Sequence, residues 1–180
     1  MFHPSYRSME NEKLNNALER FKQCNQKETS YSAFISSLTK MIDANVFYLK
    51  AICNNDPDVY YDRYFRTSKP VKDHTVVYID FSIGFPKELR YGHWAYVYKV
   101  MNGKALVIPL VSIKNFRRKL REQELEIVVV NRGMLTPSMM RLDEMRWIDI
   151  QRIDLEKEVP ERIQTPVEVI KEKVKEFLKL

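Results

Sequence analysis

The chain has 180 residues, 44% of them hydrophobic, and a formal charge of +6. That length suffices for one domain with its own core plus a helical appendage. No apolar run approaches the roughly 18 residues of a membrane-spanning helix, and the opening MFHPSYRSMENEK lacks the apolar stretch of a secretory signal. The chain is therefore expected in the cytoplasm, with no membrane partner. Its two cysteines, Cys24 and Cys53, fall in helical patterns and are expected reduced and buried. The basic excess favours an acidic partner such as nucleic acid.

Ser8 is a predicted N-cap, and Leu14, Ala17, Leu18, Phe21 and Cys24 then recur at spacings of three and four, which predicts an amphipathic helix. A second helix is predicted over Ser30 to Ile52, with Phe34, Ile35, Leu38, Met41, Ile42, Val46, Leu49 and Ile52 on its apolar face. Asn54-Asn55-Asp56-Pro57 caps a short third helix through Tyr60, Tyr61, Tyr64 and Phe65. The polar segment Arg66 to Asp73, with Pro70, marks a boundary. Residues 1–70 thus read as a helical N-terminal extension and 71–180 as a strand-rich domain. Apolar helix faces avoid water, so the extension is expected to pack partly on itself and partly on the outside of the second domain.

Three strands follow. TVVYIDF (Thr75 to Phe81) is β-branched and aromatic, HWAYVYKVM (His93 to Met101) is a second such run, and KALVIPLVS (Lys104 to Ser112) is the third. Asn102-Gly103 between the last two predicts a hairpin through a type I′ turn, whose central residues both need positive φ. Pro109 cannot donate a ladder bond, which predicts an edge or a bulge there. Lys114 to Arg121 then packs five cations into one short segment. Leu125 to Val130 is a fourth strand, read as deeply buried, and Asn131 to Pro137, with Gly133, a loop. Ser138 to Leu142 and Met145 to Asp149 are short strands, and Asp149 to Asp154 a helical turn. Thr165-Pro166-Val167-Glu168 reads as a capping box opening a last helix, with Val167, Ile170, Val174, Phe177 and Leu178 as its apolar stripe. Five or six short strands with few helices among them predict a small, strongly curved barrel in an α+β protein.

The loop SIGFPKELRYG (Ser82 to Gly92) leads straight into His93. An aspartate and an aromatic at a strand end, then Ile-Gly, a Glu, Gly-His-aromatic-Ala and an apolar hairpin ending VIPLVS resemble the PemK/MazF family of toxin endoribonucleases. The likeness is to its longer members, which carry His where others have Arg. SMMRLDEMRWIDIQRI (Ser138 to Ile153) is similar to the family's closing segment. The resemblance spans roughly Val71 to Ile153. It implies an SH3-like barrel, a homodimer, a single-stranded RNA substrate such as mRNA, and neutralisation by a small antitoxin protein. Arg90-Tyr91 stand where many relatives have small residues, often glycines, and KDHTVVYID lacks the family's basic-Gly-Asp lead.

Cleavage of single-stranded RNA needs a base for the ribose 2′-OH, an acid for the leaving 5′-oxygen and donors for the phosphorane charge. No metal or other cofactor is required, because the nucleophile belongs to the substrate. The resemblance carries a catalytic role onto His93, whose ordinary pKa suits acid or base work near neutrality. It carries another onto Ser112, which either donates to a phosphate oxygen or simply caps the next loop. Arg90 is placed to share the phosphate, with bidentate geometry. Glu88 either orients His93 or Arg90 or balances the loop's charge. Lys87, Tyr91, Lys114, Arg117, Arg118 and Lys119 are the remaining RNA-binding candidates, the cations for phosphates and Tyr91 for base stacking. Trp94 and Tyr96 read as core residues, and Ser138, Asp143 and Arg146 as structural, Arg146 at the edge of a groove. The helices carry no phosphate-binding or metal motif, so they are expected away from His93 and Ser112. The competing reading is the same barrel as a binding module for RNA or protein, with the catalytic geometry lost.

Overall fold

The computed structural model describes residues 4–23, 29–53, 69–85, 87–113, 119–158, 160 and 162–180, with backbone only for 4–10, 29–30 and 47–53. The expected third helix, Cys24, Lys114, Arg117, Arg118 and the Cys53 side chain lie outside the described residues.

Two N-terminal helices form close to the predicted bounds, α1 over Pro4–Gln23 and α2 over Thr29–Cys53. Residues 1–36 make one compact unit and 37–180 another. In the first, Phe21 of α1 stacks on Tyr31 at 4.9 Å between ring centroids and on Phe34 at 4.3 Å. The predicted apolar faces are only partly covered. Leu14 is 56% exposed, and in the second unit Ile42 and Val46 are 49% and 43% exposed.

Among its described residues the second unit holds seven antiparallel strands: β1 Val76–Asp80, β2 Gly92–Met101, β3 Lys104–Ser112, β4 Glu124–Asn131, β5 Met134–Arg141, β6 Arg146–Asp149 and β7 Arg162–Ile163. The sheet runs β1-β2-β3-β5-β4-β7, with β6 also on β3, and curls into a half-barrel. A bridge between Ile79 and Ile153 returns the chain after β6 to β1. Strands β1, β2, β3 and β6 therefore wrap one core, built from Val77, Ile79, Phe81, Ala95, Val97, Val107 and Ile148. Alternate residues of the same strands, Val76, Tyr96, Ile108 and Leu110, face a second core. There they meet Ile127, Val129 and Met140, closed over by Ile170 and Val174 of α3 (Val167–Leu178). Both faces of β1, β2 and β3 are buried, which is why their sequences read as apolar runs.

The Asn102-Gly103 turn is type I′, with φ of 51° and 71°. Pro109 is neither at the rim nor in a bulge; the register shift lies in β2, between Val97 and Lys99. Val97 directs its N–H and C=O to Thr75 and His74, on the β1 side. Ala95, two residues back, faces the same way, so its partner Pro109 turns its nitrogen away from β2. On that other side β3 is changing partners, from β6 at Val107 to β5 at Leu110. The missing N–H falls where no ladder bond is required.

The expected loop at 131–137 is instead a two-residue turn and the start of β5. Arg132 and Gly133 take φ of 48° and 72°, and Val128 pairs with Pro137. The same accounting explains this proline. Val128 turns its polar groups toward Thr165 and Gln164, so Pro137 faces away from β4, and β5 meets β3 only from Ser138 onward. Strand β4 is buried at Glu124, Ile127, Val129 and Val130 but exposed at Glu126, rather than being buried throughout. The predicted capping box does not form. The Thr165 hydroxyl accepts the Val128 N–H at 2.9 Å, and Pro166 stands at the start of α3 with no side-chain cap.

Asp73 pins the chain before β1 to β2 beyond its bulge. Its carboxylate accepts the Lys99 ammonium at 2.8 Å and the Val100 N–H at 2.6 Å. The Lys99 bond, aided by Val100 and opposed by partial desolvation, holds the Asp73 carboxyl below the usual carboxylate range. A depressed folded-state pKa contributes stability above the unfolded value, about 3.9, and that stability is lost as pH falls through the folded pKa. Denaturation below about pH 4 should therefore be less steep with pH in Asp73→Asn than in the parent, with the difference in slope vanishing once Asp73 of the folded parent is protonated. Gly133 offers a second check. A Cβ there meets nothing within 4 Å, so Gly133→Ala isolates the left-handed backbone cost. It should destabilise by about 1 kcal/mol in urea titration.

Candidate functional site

Antiparallel register brings His93, Ser112 and the loop that carries Arg90 to one end of the sheet. Ala95 pairs with Pro109; residues 92–94 run from there toward the same rim as 110–112. The loop 81–91 leaves from that rim. Its root is closed by Phe81 N–H to the Tyr91 carbonyl and Tyr91 N–H to the Ser82 carbonyl, both at 2.8 Å. Ser82 and Tyr91 both sit in the left-handed region, at φ of 67° and 64°. Tyr91 thus holds a conformation that glycine adopts more cheaply, and its ring lies 5.4 Å from the Arg90 guanidinium.

Glu88 has a role that was not read from the sequence. Its Oε2 accepts the Phe85 N–H at 3.1 Å, and its own N–H donates to the Phe85 carbonyl. The loop is folded back on itself, so close over Gly84 that a Cβ there would lie 2.9 Å from Glu88 Oε2. Leu89 anchors the loop in the Val77–Ile79 core. Phe85, at the tip, is 77% exposed, and Lys87 and Lys119 are exposed.

His93 pairs with Ile79, and its ring meets Phe81 edge-on at 6.5 Å. The guanidinium of Arg146 lies 5.6 Å from the other partner of this group, the same Phe81 ring. The structure therefore adds Arg146 to the neighbourhood of His93. The two are 53 positions apart, and only the pairing of β6 with β3 brings them near. Ser112 lies on the other face. It lines a cavity of about 260 Å³ with Trp94, Leu110, Asn131, Thr136 and Ser138, opposite to the side on which His93 meets Phe81. Strand alternation separates them: Trp94 shares its face with Ser112, and His93 does not. Trp94, expected as core, packs half-buried against the second core and also walls this cavity. Among the described residues no three His, Cys, Asp or Glu side chains converge as metal ligands do.

Helix α2 reaches the root of the loop: Ser37 and Lys40 contact Asp80, which pairs with Gly92. A strand-end carboxylate offers polar side chains on the helix a partner, which an apolar-stripe reading of α2 misses.

Compared with protein-family models the chain matches none, and no curated protein matches its sequence. The likeness to PemK/MazF stands on the residues of the loop, the β2–β3 hairpin and the closing segment.

Gly92 is the tightest point of the site. A Cβ there would collide with the Tyr78 hydroxyl, because Tyr78, paired with Trp94 and edge-on to it at 5.3 Å, extends its ring diagonally over Gly92. Gly92→Ala should cost about 1–3 kcal/mol as overpacking. In a Trp147→Phe background it should also shift Trp94 fluorescence, since Tyr78 must leave the indole. An unmoved spectrum would place the relief elsewhere.

Proposed function

We propose that this chain is a PemK/MazF-like toxin, a metal-independent endoribonuclease on an SH3-like half-barrel that cleaves single-stranded RNA by attack of the ribose 2′-OH. The observation that supports this best is the shared rim: Arg90, His93 and Ser112 all lie at one end of the β2–β3 pair, with the loop rooted between β1 and β2. In this reading His93 moves the proton at the 2′-oxygen or the leaving 5′-oxygen. Arg90 and Arg146 neutralise the phosphorane, and Lys87 and Lys119, with the basic run around Lys114, Arg117 and Arg118, hold flanking phosphates. Tyr91 offers a base a stacking face. The active form is a homodimer in the cytoplasm, neutralised by a small antitoxin that covers the same rim.

One observation favours a second reading. His93 and Ser112 face opposite sides of the sheet, which suits a module that binds RNA or a protein without cutting. The purified chain incubated with a long RNA in EDTA separates the two. Discrete cuts bearing 2′,3′-cyclic phosphate and 5′-OH ends are expected, and binding without cuts would select the module. His93→Ala should lower the cleavage rate roughly 10²–10⁴-fold with unchanged thermal stability, while His93→Arg retains part of it. Ser112→Ala should cost less than His93→Ala, because Ser112 does not share its face. Parental cutting by His93→Ala would remove His93 from the chemistry.

A further inference from the structure

At the root of the loop, Asp80 is gripped from several directions. Its Oδ1 accepts the Ser82 N–H at 2.8 Å, the short turn that takes the chain out of β1. The Ser37 hydroxyl of α2 donates to the same carboxylate, at 3.0 Å to Oδ1 and 3.4 Å to Oδ2. Lys40 Nζ lies 3.7 Å from Oδ2. The main-chain carbonyl of Asp80 accepts Arg152 Nη1 at 3.4 Å. Beside it, the Ser82 hydroxyl donates to Met41 Sδ at 3.8 Å. Ser37, Lys40, Met41 and Ala44 recur at three and four, so they form one stripe on α2. Ala44 continues it along a cleft of about 330 Å³ shared with Asp80 and Arg152.

Ser37 and Lys40 make the start of the stripe polar where helix packing alone calls for apolar residues. Ser37 is 4% exposed and Ser82 7%. A serine inside a helix contributes little to helix formation, and its buried hydroxyl needs a partner; here the partner is the loop's first turn. That turn is also one wall of the closure on Tyr91, which stands between Arg90 and Gly92-His93. The chain of bonds from α2 to the rim is short and continuous: Ser37 to Asp80, Asp80 to Ser82, Ser82 to Tyr91. The two left-handed residues, Ser82 and Tyr91, both lie on this chain of bonds.

We propose that Ser37, seconded by Lys40, is a positioning residue for the 81–91 loop, so that α2 sets the placement of Arg90 and His93. The consequence for cleavage rests on the ribonuclease reading above; the coupling between helix and loop does not.

The test uses the full chain and amide hydrogen exchange resolved by residue. In Ser37→Ala the Phe81, Ser82 and Tyr91 amides should exchange about tenfold faster, the loss of one hydrogen bond in a local opening. The Val97 amide, bonded to Thr75 in the core, should not change. Ser37→Thr keeps the hydroxyl and should restore slow exchange. Lys40→Met, at an exposed side chain that the fold does not need, should move the same amides by a smaller factor. In cleavage assays Ser37→Ala should lose activity mainly in kcat, with KM nearly kept, because the phosphate-binding cations remain. Unchanged exchange at the three loop amides in both Ser37→Ala and Lys40→Met would overturn the coupling. Faster exchange with parental kcat would overturn the positioning role. Faster exchange in a chain whose parent cuts no RNA would sustain the coupling and defeat the ribonuclease reading instead.

Discussion

The fold depends on β3 having more hydrogen-bonding partners than one strand edge can serve at once. One edge is paired with β2 along most of its length. The other serves β6 through Val107 and β5 from Leu110, and the change of partner is what curls the sheet into two cores. A strand can leave one neighbour and join another only where its own polar groups tolerate a gap. Pro109 supplies that gap without leaving a donor unsatisfied. The rim that carries the site follows directly, because residues beyond Pro109 and before Ala95 are released from each other and available to line a cavity or a loop.

The rim is also where the backbone is most constrained. Ser82 and Tyr91 occupy a region that L-residues enter at a cost of roughly 1–2 kcal/mol each, and Gly92 leaves no room even for a methyl group. Such a segment persists only if its surroundings hold it, and the holding groups are ordinary ones: Asp80, Glu88, the apolar anchor Leu89 and the face of α2. The side chains that face solvent there, Phe85, Lys87, Arg90 and Tyr91, are therefore presented by a rigid scaffold rather than by a loose connection.

Much of this architecture was legible because local chemistry decides it. Asn102-Gly103 has few alternatives to a type I′ turn, and β-branched runs bounded by turns have few alternatives to strands. Arg132-Gly133 makes the same turn, but an arginine at the first left-handed position gives no such signal, and Pro137 beyond it reads as a loop. Which way a proline nitrogen points relative to its neighbours is a property of the assembled sheet. Thr165 was misread for a related reason: its hydroxyl suits a helix cap locally, while the nearer Val128 N–H is distant in sequence. That Arg90, His93 and Ser112 share one end of the sheet was legible, since they follow one another around a loop and a hairpin. Their division between two faces was not, because it depends on the phase of each strand at its end. Nor was the approach of Arg146 to Phe81, or the Ser37 contact, since each needs a partner supplied by another element.

The prolines have a consequence for association as well as for folding. From Met134 to Pro137 strand β5 is paired with β4 only, and Met134 and Leu135 are 66% and 60% exposed. Among the described residues this is an apolar strand with one open main-chain edge, the kind of surface that recruits a strand from another molecule. Pro137 turns its nitrogen toward that opening, and a proline nitrogen has no hydrogen to offer. An incoming strand would find the row of donors interrupted at the position nearest the sheet's interior, so the same residue that lets β5 approach β3 late works against growth of the edge.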